Sequence, residues 1–227
     1  MEVLLNIPFS LDARSLIERA RIEPGSEDAA EIERLVKIAE QEGKPKAVYT
    51  EAFIESREDD AVLFGGVLFR SRMLSLNLQA AERVFPYVGT CGHELDEAYP
   101  TDGDFLKEFW RDMVKNDLLN AACQYLNDHL QRRFRLGKMS AMHPGSGDAA
   151  VWPIEQQKEL FSLLGDVEAE IGVKLTDSFL MVPNKTVSGI SFPAEKDFRS
   201  CQVCRREGCP SRSAEFDREL WAEMQRF

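Results

Sequence analysis

The residues from Asp102 to Arg135 carry the longest helical pattern in the chain. Phe105, Phe109, Met113, Ala121, Tyr125 and His129 recur at multiples of four, and Leu106, Val114, Leu118 and Leu126 broaden the stripe into a face that has to be covered. At ~1.5 Å per residue such a helix spans a whole small domain, so the remaining segments must build a surface long enough to pack against it. The chain has 227 residues, 44% of them hydrophobic and 30% charged, which suffices for one large core or two small ones without disulfide staples.

The flanking segments supply both strands and helices. Glu2 to Phe9 reads as a strand and Asp12 to Arg21 as a short helix. Glu27 to Glu42 is a second helix, entered through Pro24-Gly25-Ser26 with Ser26 as cap, and stopped by Gly43 and Pro45. Ala47 to Ser56 and Val62 to Phe69 are rich in β-branched and aromatic residues and read as two strands across the charged turn Arg57 to Asp60, with Gly65-Gly66 marking a bulge. An amphipathic helix, Leu74 to Arg83, leads into the strand Val84 to Val88, which ends at Gly89-Thr90-Cys91-Gly92. Beyond the long helix come a strand at Lys138 to Met142, helices at Ile154 to Leu164 and Asp166 to Ile171, and strands Ser178 to Pro183 and Thr186 to Phe192 joined at Asn184-Lys185. A helix from Ser213 to Arg226 closes the chain. The class is α+β. Residues 1–100, 101–195 and 196–227 form three parts with no repeat or low-complexity linker between them.

Charge and hydropathy narrow the function. The formal net charge of −11 opposes docking along a polyphosphate backbone, so no nucleic-acid partner is expected. The basic run Gln131 to Arg135 with Lys138 is read as the solvated end of the long helix, favoured by its dipole. Val3 to Phe9 is interrupted by Asn6 and Pro8 and has no basic residues before it, so neither a signal peptide nor a membrane span is expected, and the protein is placed in the cytoplasm.

Three places carry chemistry. Asp117 falls on the apolar stripe of the long helix, where a carboxylate needs a partner, a ligand or an exposed stripe edge, whereas His129 is read as structural. The loop Pro144-Gly145-Ser146-Gly147 lies between a strand and a helix; its N–H groups are either free to meet a polar ligand or spent in a tight connection. Cys201, Cys204 and Cys209 lie within nine residues, with Arg205 and Arg206 favouring thiolates and Gly208 giving the backbone freedom to turn. A metal centre is expected there, zinc or an iron–sulfur cluster. Either usually takes four ligands, so Cys91 or His93 is the expected fourth. The bland alternatives are surface thiols or a cysteine pair used in redox sensing, and Cys123 is read as a small buried residue.

The succession Pro144-Gly145, Trp152-Pro153-Ile154, Leu160-Phe161-Ser162-Leu163-Leu164, Ile171-Gly172-Val173-Lys174-Leu175-Thr176-Asp177-Ser178, Met181-Val182-Pro183 and Val187-Ser188-Gly189 resembles the core of the reactivation (activation) domain of cobalamin-dependent methionine synthase. The resemblance implies an α+β domain around a twisted antiparallel sheet that binds S-adenosylmethionine and docks over a cobalamin held by a neighbouring domain. It implies that His143, Pro144, Gly145 and Ser146 border the ligand and corrin face, and that Asp117 and Gln124 approach from the long helix. Two positions depart from the family pattern: an arginine three residues before the proline is Ala141 here, and a tyrosine after the glycine is Ser146. Alanine offers nothing to a ligand carboxylate.

The expected function is therefore reductive reactivation of a corrinoid methyltransferase or a methionine synthase core protein, which brings the cobalamin on a separate chain. Methyl transfer from S-adenosylmethionine to that cobalamin is the associated reaction. Because Co(II) has to be reduced, an iron–sulfur cluster is ranked above zinc. A redox or electron-transfer module that keeps the fold without the reactivation role, and a structural subunit of a methyltransferase complex, are the alternatives.

Overall fold

The computed structural model describes residues 1–148, 151–195, 198–210 and 212–225. In chain order the strands and helices are β1 (Glu2–Leu4), α1 (Ala13–Ala20), α2 (Glu27–Glu42), β2 (Lys46–Tyr49), β3 (Ala52–Arg57), β4 (Ala61–Phe64), β5 (Val67–Arg70) and α3 (Arg72–Asn77). There follow β6 (Arg83–Thr90), α4 (Glu94–Ala98), α5 (Phe105–Phe134), β7 (Met139–Met142), α6 (Gln157–Leu164), α7 (Val167–Ile171), β8 (Lys174–Leu175), β9 (Met181–Val182), β10 (Thr186–Pro193) and α8 (Arg218–Met224).

The central strand is β6. On one edge it pairs with β2 through Tyr87–Thr90 and with β3 through Arg83 and Val84, so β2 and β3 run as one bent stretch along it. On its other edge lies β10, which pairs through its far end with β7. β1 extends the sheet beyond β2, β4 and β5 extend it beyond β3, and every pairing is antiparallel. The α+β class and the antiparallel sheet match the expectation.

The period of two along β6 sorts its neighbours. Phe85 and Tyr87 face α5, joined in the core by Ala122, Leu126 and Leu130, while Val84 packs with Trp152, Leu160 and Phe192 and Val88 packs with Leu164, Val167 and Ile171 on the other face. α1, α2 and α4 lie beside the first half of α5 and share Leu16, Ile32, Leu35 and Leu95 with its Trp110, Val114 and Leu118. Tight burial of Trp110, Val114, Leu118, Ala122, Leu126 and Leu130 shows that the core row of α5 runs one residue beyond the row marked by Phe105, Phe109 and Met113. Phe105 is 84% and Phe109 54% exposed. Val114, Leu118 and Leu126, read as broadening the stripe, thus lie in the core row, and the row begun by Phe105 and Phe109 is the flank of the buried face.

Several element boundaries differ from the sequence reading. Val62 to Phe69 is not one bulged strand: Gly65 and Gly66 have φ of 58° and 73°, and Phe64 pairs with Val67, so the two glycines form the tight turn of a hairpin between β4 and β5. β9 and β10 do not pair with each other; β9 pairs with β8, and Pro183 has no N–H to offer a ladder. The helix expected at Leu74 to Arg83 starts at Arg72, where Ser71 Oγ caps it, and ends by Asn77, leaving Arg83 to β6. The last helix is shorter than Ser213 to Arg226, starting at the Asp217 cap, and Arg226 lies outside the described residues. No helix among the described residues is long and apolar enough to cross a membrane.

Candidate functional site

The segment from β7 through the 143–148 loop separates two grooves. The first, about 440 Å³, is bounded by His143 to Ser146, by Ile154 just before α6 and Gln157 at its start, by Phe179 to Met181, and by Thr186 to Ser188 at the start of β10. The second, about 460 Å³, is lined by Asn127 on α5, Met139 to Ala141 on β7, Ser191 on β10, and Phe198 to Cys201 with Ser213. His143 and Ser146 border both. Each volume falls within the range of small-molecule sites.

The loop is held by its own backbone. Gly145 N–H donates to Trp152 C=O at 2.8 Å and Ser146 N–H to His143 C=O at 3.2 Å, so these two groups are spent internally. Of the two readings of this loop, the tight connection applies to these two groups. Gly145 has φ of 76°, and a Cβ there would stand 3.0 Å from Ile154, so the close approach of loop to helix requires glycine.

Polar groups hidden behind the first groove fix its wall. Gln157, only 3% exposed, donates from Nε2 to Phe179 C=O at 2.8 Å and accepts from Ser188 Oγ at 2.9 Å. His143 Nδ1 lies 3.1 Å from Ser188 C=O, which makes Nδ1 the protonated nitrogen and leaves Nε2 as an acceptor. Burial lowers the His143 pKa and the Ser188 carbonyl opposes that, so the ring is neutral at neutral pH. Tyr87, beneath it, is packed edge-on to the ring.

The cysteine segment forms the far wall of the second groove. Ser200 to Val203 make a 3-10 turn, anchored by the fully buried Val203, and Cys204 N–H closes it onto Cys201 C=O at 3.3 Å. Cys201 Sγ accepts from the Ser213 N–H at 3.4 Å and from its hydroxyl at 3.5 Å, and these hydrogen bonds, the backbone one first, lower its pKa. The Arg212 guanidinium sits inside the loop and donates to the carbonyls of Cys201 at 3.0 Å, Cys204 at 3.0 Å, Arg206 at 2.6 Å and Ala214 at 3.4 Å. Arg205 stacks on Trp221 and pairs with Asp148, tying the segment to the 143–148 loop.

The described residues do not gather a metal centre. No three His, Cys, Asp or Glu side chains among them are grouped to hold an ion. Cys91 is 2% exposed in the core between α2, α4 and α5, its thiol donates to Gly92 C=O, and burial pushes its pKa up to about 12. It does not join Cys201, Cys204 and Cys209, whose loop turns around a guanidinium. Cys123 is half-buried against Gly89.

Asp117 and Gln124 lie elsewhere on α5. Arg19 of α1 grips Asp117 with both guanidinium nitrogens, at 3.1 and 2.5 Å, so the carboxylate has a partner and borders neither groove. Gln124 is exposed and donates to Asp128 one turn on. The α5 residue that reaches the second groove is Asn127, which sequence reasoning did not single out; nor did it single out Gln157 or Arg199.

Residues 98–206 match the family model described as vitamin B12 dependent methionine synthase, activation domain. This chain resembles that activation domain. The match runs from the end of α4 to the cysteine turn and so contains α5, β7, both sides of the 143–148 loop and β10. A solved structure, the crystal structure of the MetH reactivation domain bound to AdoHcy, has the activation-domain fold with a TM-score of 0.55 at 19% identity, covering 82% of this chain and 67% of that one. No curated protein matches the chain.

Proposed function

We propose that this chain is an accessory protein for the reductive reactivation of a corrinoid methyltransferase such as methionine synthase, and that the second groove binds S-adenosylmethionine. The observation that carries the reading is that this groove is lined by Ala141, His143 and Ser146, positions that the resemblance sets beside the ligand, and lies, apart from Ser213, inside the segment matching the activation-domain family. The solved relative with this fold binds AdoHcy, the demethylated product of that ligand.

The residues present fit such a ligand in part. Asn127, Ser191, Ser200 and Ser213 offer polar groups, and Phe198 an apolar wall. Ala141 lines the groove and brings no charge; among the described lining residues the cation is Arg199, whose guanidinium donates to Ser213 C=O at 3.4 Å. The chain holds the sulfonium ligand against the partner's cobalamin. The chemistry such a ligand would supply is its methyl group: with one electron from a low-potential carrier, the partner's Co(II) corrinoid would be restored to methylcobalamin and S-adenosylhomocysteine would be released.

The test is the anaerobic visible spectrum of a Co(II)-corrinoid methyltransferase with and without this protein. Displacement of the lower axial ligand in proportion to added protein supports the reading. An unchanged spectrum with methionine synthase core proteins and other corrinoid methyltransferases overturns it.

A further inference from the structure

We infer that Cys201 and Cys204 form a thiol–disulfide pair, with Cys201 the attacking thiol and Cys204 the resolving one, and that its oxidation remodels the wall of the second groove. The two residues are first and last of one closed turn, whose Cα atoms lie within ~7 Å, a limit that overlaps the roughly 4.4–6.8 Å that a disulfide spans. Val203 pins the turn into the core, and Arg212 fixes the carbonyls of both cysteines, so the backbone geometry is set before any bond forms. Both side chains are partly exposed. Cys201 lines the groove, and its Sγ receives two hydrogen bonds from Ser213, the arrangement that stabilises an attacking thiolate.

The chemistry needs a disulfide oxidant such as glutathione disulfide. The Cys201 thiolate attacks one of its sulfurs, forming a mixed disulfide and releasing one glutathione thiolate. The Cys204 thiolate then attacks Cys201 Sγ, and the second glutathione leaves. Two electrons and two protons pass from the pair to the oxidant. Joining Cys201 Sγ to Cys204 draws it away from the Ser213 N–H and hydroxyl, so the groove loses one fixed edge.

The experiment uses the full chain with glutathione disulfide, followed by peptide mapping and by hydrogen exchange at Ser213. A Cys201–Cys204 linkage is expected in the wild-type protein and in Cys209→Ser, a stalled glutathione adduct on Cys201 in Cys204→Ser, and at least tenfold faster exchange of the Ser213 amide after oxidation. A linkage that uses Cys209 instead, an absence of reaction, or unchanged Ser213 exchange overturns the inference. So does a full equivalent of zinc or iron bound by these cysteines in protein purified without oxygen. None of these outcomes involves a corrinoid partner, so failure here is distinct from failure of the reactivation reading.

Discussion

Gln157 takes a hydrogen bond from the Ser188 hydroxyl and gives one to the Phe179 carbonyl, and by doing both it ties the start of α6 to β10 and to the loop before β9. Because Gln157 and Ser188 are both nearly inaccessible, the bond between them cannot be replaced by bulk water. Gln157→Ala is expected to lower stability by about 1–3 kcal/mol, the range for stranding buried polar partners. In urea unfolding the midpoint should fall while the slope stays constant.

Gly145→Ala puts a Cβ at a left-handed position, which costs roughly 1–2 kcal/mol, and presses it against Ile154. A fall in melting temperature is expected, together with weaker binding of S-adenosylmethionine by calorimetry, since Ser146 next to it borders both grooves.

Asp117→Ala tests whether the carboxylate belongs to the ligand face. Its bond to Arg19 is partly solvated, so the loss should be about 0.2–1 kcal/mol. S-adenosylmethionine binding should not change; a tenfold loss of affinity would place Asp117 at the site after all.

An arginine at position 141 would add the charge that Ala141 does not bring to the groove. Ala141→Arg is expected to tighten S-adenosylmethionine about tenfold, corresponding to ~1.4 kcal/mol, and Arg199→Ala to weaken it by a similar factor. Calorimetry at two salt concentrations checks both, with the salt dependence separating a carboxylate contact from improved packing.

Acid should loosen the α2–α5 region first. The hydrogen bond from Arg34, helped by Tyr99 and opposed by burial, holds the Glu31 pKa at about 2. A depressed carboxylate pKa stabilises the fold above the unfolded value and loses that contribution as pH falls between about 4.5 and 2. Glu31→Gln should therefore be less stable than the wild type above pH ~4.5, and the two unfolding curves should converge towards pH ~2.

What could be read from the sequence was what local chemistry decides. α2 begins and ends where its Ser26 cap and Gly43 stop place it, and α5 lies within three residues of its expected limits because Asp104 caps it and Arg135 closes it in a left-handed turn. What could not be read depended on distant partners. Asp117 looked unpaired because Arg19 is 98 residues away in the chain, and the leading row of the α5 stripe was placed one residue early because Phe105 and Phe109 are apolar yet exposed. The cysteine loop looked like a ligand set because nothing in its spacing reveals that the Arg212 side chain fills it. Pairing of β9 with β8 was hidden for the same reason: short apolar runs do not state which neighbour they will choose.

Strand β10 follows both β6 and β7 in the chain and lies between them in the sheet. During synthesis, the β6 and β7 edges that will receive it lack their partner until β10 has left the ribosome, and a messenger truncated between β7 and β10 yields a protein with both of these edges open. Those edges are templates for intermolecular association, so a chaperone that holds the nascent chain has most to protect in the interval between emergence of α5 and emergence of β10.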